Sequence, residues 1–478
     1  MSKKRLINLF QSSFYILFIN FFINSQIISS NSHYTRFEII VPTYKNENIC
    51  IKNLESLINQ NYPHDLFHIT IVNDISPDRT GINLDNYVSQ YNLQDRVKVV
   101  HNKKRTGALG NFYKTIHSLE GETVIITVDG DDWLANQNVL SRVALEYEKH
   151  DAWITYGQFK WLSNGTTGTM FCREVPEDVK SRNLFRSYPW VFSHLRTFKA
   201  WLFQQIKFED LLCPAQIDNK RSSLSNSDFY YDKAWDLALM FPMLEMASRG
   251  HIKHIPDILY VYNDNNPIND HKMDVQRIVK LDAYARSRKK YEPLLSPVYI
   301  DNSEQKSDLI VYSKNRPLQL FSFLESLNKY STGVNQVFVV YAADNSYEYG
   351  YQEIFNKFPG LRIYRQNNNL HGNDFKQINL EIVNNLTSNY VVFAVDDIIV
   401  KDNFDFAECA KYLSHTNAYG FYLRLGDHVD YCYTENRHQG IPHLIPVSEA
   451  VGAWRFSSGQ ADWKYPNCLD MTIYKKDI

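Results

Sequence analysis

Apolar and polar positions alternate along the chain from residue 37 with two different periods. Residues 37–42 form a short apolar run, FEIIVP, that predicts a buried strand, whereas residues 47–60 carry apolar side chains at near-helical spacing. The same two patterns recur downstream. They predict strands at 67–74, 95–102 and 122–132 and a further helix at 107–119. Strands and helices that alternate over short connections predict an α/β fold with right-handed crossovers and a mainly parallel sheet covered on both faces.

Acidic side chains stand where two of these strands are predicted to end. Asp74 closes the second predicted strand, and Asp129, Asp131 and Asp132 follow the apolar run VIITV. Ligands of parallel α/β sheets bind outside the carboxyl ends of the strands, so these carboxylates are expected to face a ligand cleft. Adjacent carboxylates repel one another, and Mn²⁺ or Mg²⁺ would neutralise them and leave positions for phosphate oxygens. The alternative is a solvated acidic turn in which Asp132 caps the following helix.

Composition limits the class of protein. The 478 residues are 44% hydrophobic and 22% charged, which allows two or three domains with sizeable cores. The formal net charge is -2, so the overall charge does not attract nucleic acid or anionic lipid, and no nucleic-acid partner is predicted. The six cysteines include no C-x-x-C pair, which argues against a zinc ribbon, a redox dithiol and a disulfide-rich scaffold.

The first 33 residues differ from the rest of the chain. Basic residues from Lys3 to Arg5 precede an apolar stretch at 14–23 that only Asn20 interrupts. This arrangement is typical of a signal peptide or a signal anchor, and it predicts a membrane-associated or exported protein. The stretch is shorter than the roughly 20 apolar residues of a good membrane span. An incidental hydrophobic tail on a cytoplasmic protein is therefore the alternative.

Five separated segments occur in an order and spacing that resemble the family 2 glycosyltransferases of the GT-A fold. The segments are FEIIVPTYKNE, SLINQNYP, ITIVNDISPDRTG, NKKRTGALGNF and VDGDDW, within residues 37–133. The resemblance implies a Rossmann-like domain that binds a nucleotide-diphosphate sugar, with a UDP-sugar favoured, and transfers the sugar to a glycan or glycoconjugate acceptor. Asn73 stands where the family usually has the first of two consecutive Asp residues.

The resemblance also implies roles for individual residues. Asp129 and Asp131 would form a D-x-D motif that holds Mn²⁺ or Mg²⁺ and addresses the ribose. Asp74 would face the base of the nucleotide, and a basic side chain would lie near the nucleotide. The full set implied for donor binding is Pro42, Thr43, Tyr44, Asp74, Lys103, Arg105 and Asp129.

A segment further along, AWDLALMFPMLEMA at 234–247, resembles the acceptor-side motif of the family. There Asp236 would be the general base of an inverting transfer, because a sugar hydroxyl becomes a good nucleophile when a carboxylate takes its proton. A helix cap is the alternative role of Asp236, and Asp232 is a neighbouring candidate base. Segments that resemble those accompanying this motif contain His194, Arg196 and His271. These three residues are candidates for contact with the diphosphate or the acceptor, and a structural role is the alternative.

The chain contains an internal repeat. The segments EIIV and LESL at 38 and 54 recur as DLIV and LESL at 308 and 324. The acidic pair at 131–132 recurs as Asp396 and Asp397, the candidate metal ligands of the repeat. Elements normally expected later are missing, so the repeat is expected to be truncated, inactive or completed elsewhere. The repeat predicts tandem GT-A domains with mainly parallel central sheets: a first unit at 34–285, a linker at 286–306 and a second unit at 307–478.

The sequence therefore predicts a metal-dependent, inverting and non-processive glycosyltransferase. A processive polysaccharide synthase is disfavoured because the chain lacks a Q-x-x-R-W motif and a cluster of membrane spans. The sequence contains no P-loop, G-x-G-x-x-G, G-x-S-x-G or H-E-x-x-H motif, so none of these motifs points to a different chemistry. The alternative is a non-catalytic carbohydrate-binding or scaffold protein with a degenerate nucleotide-sugar fold.

Overall fold

The structure is a computed structural model that describes most of the chain from residue 34 onward. The segment at 1–33, which was predicted to be a signal peptide or anchor, lies outside the described residues. The described residues are 34–213, 230–266, 274–299, 305–367, 374–416, 418–424, 426, 429–432, 435–442, 444–448, 450–454 and 470–476.

Membrane association was predicted from the hydrophobic N-terminus alone. Within the described residues, no helix combines the length and apolar character needed to cross a membrane. This finding contradicts the predicted membrane-associated or exported location, and we correct that prediction. The hydrophobic run that motivated it is also shorter than the roughly 20 residues that a span requires.

The strands of the first unit form one sheet. They are β1 (Phe37–Thr43), β2 (Phe67–Asn73), β3 (Val97–His101), β4 (Val124–Thr127), β5 (Trp133–Leu134), β6 (Ile154–Trp161), β7 (Arg196–Lys199) and β8 (Ile252–Tyr262). Their order across the sheet is β3-β2-β1-β4-β7-β6-β8-β5. β1 pairs in parallel with β2 and β4, and β2 with β3, whereas β7 runs antiparallel between β4 and β6. The predicted α/β class with a mainly parallel sheet is confirmed.

Helices cover both faces of this sheet. They are α1 (Cys50–Ile58), α2 (Thr80–Gln90), α3 (Gly107–Ile116), α4 (Val139–His150), α5 (Glu177–Ser181), α6 (Ala200–Gln204), α7 (Trp235–Met246) and α8 (Val275–Ser287). Successive side chains of a strand point to opposite faces. Ile39 and Val41 therefore pack in one core with α1, α2 and α4, and Ile40 packs in another with α3, α6 and α7. Burial on both faces explains why β1 is apolar at almost every position.

The second unit has a smaller sheet with a related strand order. Its longer strands and its helices are β9 (Ser307–Lys314), β11 (Val334–Ala342), β12 (Arg362–Arg365), β13 (Tyr390–Val395), β15 (Gly420–Tyr422), β20 (Thr472–Lys475), α9 (Pro317–Tyr330), α10 (Asn345–Lys357), α11 (Phe375–Asn385) and α12 (Phe406–Thr416). Its two-residue strands are β10 (Ser331–Thr332), β14 (Phe404–Asp405), β16 (Tyr431–Cys432), β17 (Arg437–His438), β18 (Ile445–Pro446) and β19 (Gly452–Ala453). The main sheet runs β12-β11-β9-β13-β20-β15, with β9 parallel to β11 and β13 and with β20 antiparallel to β13. The division into tandem domains, and the domain boundaries, stay predictions.

A hairpin of the second unit packs into the core of the first. β18 and β19 pair in antiparallel fashion, and Ile445 and Val447 belong to the same buried cluster as residues of α3 and α7. Tyr230 of the first unit donates its hydroxyl hydrogen to the carbonyl oxygen of Pro446 at 2.9 Å. Apolar packing therefore holds the two units together, in addition to the chain connection.

Helix α7 contains a buried acidic residue. Glu245 accepts hydrogen bonds from Nε and Nη2 of Arg186, at 2.5 and 2.8 Å, and from the backbone N–H of Tyr291 at 2.9 Å. We expect Glu245→Gln to lower the free energy of unfolding by about 3–5 kcal/mol, because it leaves the buried Arg186 guanidinium without its counter-charge. Urea unfolding followed by circular dichroism measures this change.

An exposed ion pair of the second unit is the matched control. Nζ of Lys357 lies 3.7 Å from Oε1 of Glu325, and both side chains are more than half exposed. Exposed pairs contribute at most about 1 kcal/mol, so Glu325→Gln is expected to leave the urea midpoint close to that of the wild type. Equal losses of unfolding free energy in Glu245→Gln and Glu325→Gln would contradict the larger contribution expected of the buried pair.

Candidate active site

The acidic loop that follows β4 is held by side chains from two other elements. Nδ2 of Asn53, in α1, donates to the carbonyl oxygens of Asp129 at 3.1 Å and Asp132 at 2.7 Å. The backbone N–H of Asp129 donates to the hydroxyl oxygen of Tyr260, on β8, at 3.0 Å. These bonds fix the loop at the edge of the sheet where the parallel strands have their carboxyl ends.

The loop packs closely on β1 at a glycine. A Cβ atom at Gly130 would lie 2.6 Å from Oγ1 of Thr43 and 2.9 Å from Nδ2 of Asn46. Nδ2 of Asn46 also donates to Oγ1 of Thr43 at 2.9 Å. Any larger residue at 130 would displace this contact, so glycine permits the close approach. Thr43, a predicted donor-binding residue, is buried beside the loop.

Three side chains at this loop could hold a metal ion. One ligand atom each from Asp129, Asp132 and His194 lie within 4.8 Å of one another, and this is the one such group found in the described part of the chain. Nε2 of His194 lies 4.0 Å from Oδ2 of Asp129. Nδ1 of His194 is buried, with no hydrogen-bond partner among the described residues. Two carboxylates and an imidazole fit a divalent cation, and the imidazole suits Mn²⁺ better than Mg²⁺, which prefers oxygen ligands.

Burial controls the protonation of two members of this group. Burial, together with repulsion from Asp131 and Asp129, raises the pKa of Asp132 well above its usual range. Burial, together with the nearby Arg196, lowers the pKa of the His194 imidazole well below its usual range. His194 is therefore neutral at physiological pH, which is the form that binds metals, and a divalent cation would offset the repulsion among the carboxylates.

The contacts of Asp131 differ from those of Asp132. Oδ2 of Asp131 accepts a hydrogen bond from Nδ2 of Asn266 at 2.6 Å, and Asp131 lies outside the group of three. The Asp132 carboxylate accepts hydrogen bonds from the backbone N–H of Asn263 at 2.7 Å and the hydroxyl of Tyr260 at 2.8 Å. The following helix, α4, begins at Val139 with Asn138 as its N-cap residue, so the alternative in which Asp132 caps this helix is wrong. Metal binding by Asp131 stays a prediction.

The end of β1 and the loop after β3 carry predicted donor-binding residues. The Arg105 guanidinium lies over the Tyr44 ring, 3.4 Å from its centroid, and Nε of Arg105 is 3.9 Å from Oδ2 of Asp74. Pro42 is partly buried at the end of β1, and Lys103 is exposed. The structure thus brings Tyr44 and Arg105 together, while contact of these residues with a nucleotide stays a prediction.

Asp74 supports the start of α3. Its Oδ1 accepts hydrogen bonds from Nδ2 of Asn102 at 2.7 Å and the backbone N–H of Thr106 at 2.9 Å, and its Oδ2 accepts one from the backbone N–H of Gly107 at 2.8 Å. The residue is only 4% exposed. Its carboxylate therefore satisfies amides at the helix N-terminus, and the contact predicted with the nucleotide base is not tested by this geometry.

Asp236 is located in the first turn of α7 beside a buried arginine. Nη1 of Arg196, on β7, lies 3.7 Å from Oδ2 of Asp236, whose side chain is 24% exposed. The Arg196 guanidinium also lies over the Trp235 ring, 5.3 Å from its centroid. The N-cap residue of α7 is Ala234, and its side chain makes no capping hydrogen bond. The alternative role of Asp236 as a helix cap is therefore wrong.

The neighbouring candidate base, Asp232, forms an ion pair in which one guanidinium N–H is shared between both carboxylate oxygens. Nε of Arg277, on α8, donates to both of its carboxylate oxygens, at 2.7 and 2.9 Å. The Asp232 carboxylate is therefore already engaged with a guanidinium at hydrogen-bond distance. Asp236, which has the longer contact with its arginine, is the better placed of the two.

One short segment joins the candidate metal group, Asp129, Asp132 and His194, to Asp236. His194 contacts Asp129, and Arg196, two residues further on, contacts Asp236. Arg196 also pairs with Thr127 across the antiparallel strands β4 and β7, just before the acidic loop. The position of β7 beside β4 therefore brings the predicted metal ligands and the predicted base to one site. The contacts predicted for His194 and Arg196 with a diphosphate or an acceptor stay predictions.

An arginine lies at the predicted metal site of the second unit. Nη1 of Arg316 is 3.6 Å from Oδ1 of Asp396 and 3.5 Å from Oδ2 of Asp397. Asp396 also accepts a hydrogen bond from Oγ of Ser313 at 2.7 Å, and burial raises the pKa of Asp396. The guanidinium thus offsets the charge of both carboxylates, and metal binding there stays a prediction. The remaining predicted site residue, His271, lies outside the described residues.

Two residues that shape the site were not singled out from the sequence. Asn53 lies on the buried face of α1 between Cys50 and Leu54. A polar residue on the apolar face of a helical pattern is the signal that could have identified it. Tyr260 lies in the apolar strand β8, and its hydrogen bonds to the acidic loop become apparent only when the fold places β8 beneath that loop.

Comparison with known proteins concerns part of the chain. Residues 38–210 match the model of glycosyl transferase family 2. The chain is 30% identical over 199 residues to poly(ribitol-phosphate) beta-N-acetylglucosaminyltransferase TarS of Staphylococcus aureus, covering 41% of this chain and 32% of TarS. It is 28% identical over 185 residues to bifunctional glycosyltransferase pgtA of Dictyostelium discoideum, covering 35% of this chain and 23% of pgtA. The chain thus spans about a third or less of the length of these relatives.

Solved structures show weaker similarity. Mannosyltransferase PcManGT from Pyrobaculum calidifontis, in complex with GDP-Man and Mn²⁺, is 16% identical, with a TM-score of 0.38 and coverage of 60% of this chain and 76% of PcManGT. Staphylococcus aureus TarS 1–349, in complex with UDP-GlcNAc, is 19% identical, with a TM-score of 0.37 and coverage of 52% of this chain and 66% of that chain.

Proposed function

We propose, on the premise that residues 38–210 belong to glycosyl transferase family 2, that the first unit transfers a sugar from a nucleotide-diphosphate donor to an acceptor hydroxyl. The observation that carries this proposal is the segment that places His194 against Asp129 and Arg196 against Asp236. Such a transfer requires a site for the leaving diphosphate and a carboxylate for the attacking hydroxyl. The two candidate groups lie at the same edge of the sheet.

A divalent metal fits the donor side of this site. Asp129, Asp132 and His194 would hold it, with Asp131 as a further candidate ligand, and Mn²⁺ is favoured over Mg²⁺. The metal would offset the negative charge that develops on the leaving diphosphate. The protein contributes by holding the loop backbone in place through Asn53, so that the ligand oxygens need little reorganisation.

Asp236 would accept the proton of the acceptor hydroxyl. Its side chain is partly exposed, and the contact with Arg196 at 3.7 Å holds it at the start of α7. A positioned carboxylate of this kind makes a hydroxyl nucleophilic at neutral pH. Direct displacement of the diphosphate by that hydroxyl would invert the configuration of the anomeric carbon and release one sugar-extended acceptor in each cycle.

The donor nucleotide would lie at the end of β1. The Tyr44 ring lies there with the Arg105 guanidinium stacked over it, and Arg105 and Lys103 offer positive charge for the diphosphate. The relative TarS is named as an N-acetylglucosaminyltransferase that acts on poly(ribitol-phosphate). We therefore place UDP-hexoses and UDP-N-acetylhexosamines first among the donors, and hydroxyl-rich glycans and glycoconjugates first among the acceptors.

The second unit would serve a non-catalytic role. Support for this role comes from Arg316, which lies within 3.6 Å of an oxygen of Asp396 and of Asp397 and would compete with a metal for both carboxylates. Further support comes from the hairpin at 445–453, which packs against the first unit. A carbohydrate-binding or scaffold role fits these contacts better than a second metal-dependent transfer.

Release of the nucleotide diphosphate tests the proposed function. The full chain is incubated with a panel of UDP- and GDP-sugars, in Mn²⁺, Mg²⁺ or a chelator, and with glycan acceptors; nucleotide diphosphate and glycosylated product are quantified together. We expect equal amounts of the two products from one class of donor, with a rate that the chelator abolishes. No release from any donor would favour the non-catalytic carbohydrate-binding alternative.

A further inference from the structure

Two histidines face each other where the first unit meets the second. His117 directly follows α3, and His415 is in the last turn of α12. Their ring centroids are 4.6 Å apart, and each residue is 8% exposed. Neither histidine belongs to the candidate active site, so the proposed function does not account for this pair.

Both rings have a nitrogen with no hydrogen-bond partner among the described residues. Nδ1 of His117 lies 2.9 Å from the carbonyl oxygen of Tyr113; because a carbonyl can only accept, this nitrogen carries the proton and Nε2 keeps the lone pair. The Nε2 atoms of His117 and His415 are buried and have no hydrogen-bond partner within the described residues. Such a buried polar atom calls for a bound water or ion. A carbonyl contact at the other ring nitrogen is also what orients most histidines that bind metals.

The two rings line a cavity that can hold an ion and water. Its volume is about 210 Å³, whereas one water in the liquid occupies roughly 30 Å³. The charged residues that line it are Lys114 from the first unit and Glu408 and Lys411 from the second. Ser118 and Ser448 also line it, so the cavity is polar enough to hold water.

Burial makes both imidazoles poor bases. It lowers the pKa of His117 to about 4. Burial, with smaller effects of His117 and Lys411, lowers the pKa of His415 to about 2. The neutral imidazole is the form that binds a metal, so protons do not compete for these nitrogens near pH 7. Lys411 opposes a bound cation, which limits the expected affinity.

We propose that His117 and His415 bind a divalent transition-metal ion through their Nε2 atoms, with cavity water completing its coordination, and that this ion links the two units. Imidazole ligands select Zn²⁺, Ni²⁺, Cu²⁺ and Co²⁺ over Mg²⁺, so this site differs in preference from the acidic loop. The ion connects α3 to α12 and adds to the apolar packing of the hairpin. The proposal does not rest on glycosyl transfer, so either can fail while the other stands.

Titration of the full chain with Co²⁺ at pH 7.5 tests the site. The Asp129→Ala background removes one ligand of the other candidate metal group. We expect the absorption bands of nitrogen-coordinated Co²⁺ and, at a 100-fold excess over the Kd, a rise in Tm of roughly 5 °C. His117→Gln and His415→Gln are each expected to abolish both signals. His68→Gln, which changes an exposed histidine on β2, is the matched control and is expected to leave them unchanged.

A charge variant keeps the test decisive if a histidine variant fails to fold. Lys411→Gln retains both histidines and removes a like charge, so it is expected to tighten Co²⁺ binding by roughly fivefold; Lys357→Gln, a lysine of α10, should leave the affinity unchanged. Co²⁺ signals that persist in both histidine variants, or an affinity that Lys411→Gln does not alter, would place the ion elsewhere and overturn the proposal. If the Asp129→Ala protein shows neither the Co²⁺ absorption bands nor the rise in Tm, the two histidines are a neutral imidazole pair that binds no ion, and the proposal is overturned as well.

Discussion

Asp129→Asn is expected to lower the turnover of the sugar donor by roughly 100-fold or more, because a metal site supplies several kcal/mol of transition-state stabilisation and each 1.36 kcal/mol is a factor of ten. The change keeps the shape of the side chain and removes its charge. Asp129 is partly exposed, whereas burial raises the pKa of Asp132, so Asp129 supplies the readily available negative charge of the group. Rates measured across a Mn²⁺ titration should show a higher apparent Kd for the metal as well as a lower maximum.

Asp131→Asn is the matched control for this variant. Asp131 is the second member of the predicted D-x-D motif, but its carboxylate accepts a hydrogen bond from Asn266 and lies outside the group of three. A smaller loss of metal-dependent turnover in Asp131→Asn than in Asp132→Asn would assign the second carboxylate ligand to Asp132. Normal metal-dependent turnover in Asp129→Asn would contradict the metal site itself.

Local pattern was sufficient to predict the core of the first unit. The apolar run at 37–42 corresponds to β1 (Phe37–Thr43), and the helix predicted at 107–119 corresponds to α3 (Gly107–Ile116). These elements are buried on regular faces, so the spacing of their apolar residues in the sequence indicates the type of element. The place of the acidic loop after a parallel strand was also readable from the pattern, and the general rule that ligands bind at the carboxyl ends of such strands is what makes it a candidate site.

The membership of the candidate metal group was not predictable in the same way. His194 is far from Asp129 in the sequence and reaches it because β7 pairs antiparallel with β4. That pairing is set by packing of the whole sheet, and the local pattern of four residues in β7 does not determine it. The choice between Asp131 and Asp132 likewise depends on Tyr260 and Asn263, which bind the Asp132 carboxylate from elements distant in the sequence.

The repeat illustrates a further limit of sequence comparison. The offset that matched residues 131–132 to Asp396 and Asp397 identified two acidic pairs at related positions. It did not indicate that Arg316 would lie against the second pair. The chemistry of a carboxylate depends on the charges around it as much as on its place in a strand order, so related positions in the two units can differ in metal binding.

Asp236→Asn is expected to reduce kcat by roughly 10²–10⁴-fold, the range of a lost general base. The amide cannot take the proton of the acceptor hydroxyl, but it keeps the size of the side chain and leaves the acidic loop untouched. Donor affinity, measured by calorimetry with the nucleotide diphosphate and Mn²⁺, should therefore stay close to that of the wild type. The variant also leaves Arg196 without a counter-charge, so the rate must be corrected for the folded fraction at the assay temperature.

Asp232→Asn separates loss of the base from loss of an ion pair. Asp232 also pairs with an arginine, through an Nε–H of Arg277 that is shared between both carboxylate oxygens, so this variant should lower stability while its folded fraction retains transfer. A wild-type rate in Asp236→Asn together with a large loss in Asp232→Asn would move the base to Asp232. Loss of donor binding in Asp236→Asn would instead mean that Arg196, once unpaired, disturbs the segment that carries His194, and Asp236 would then be a positioning residue.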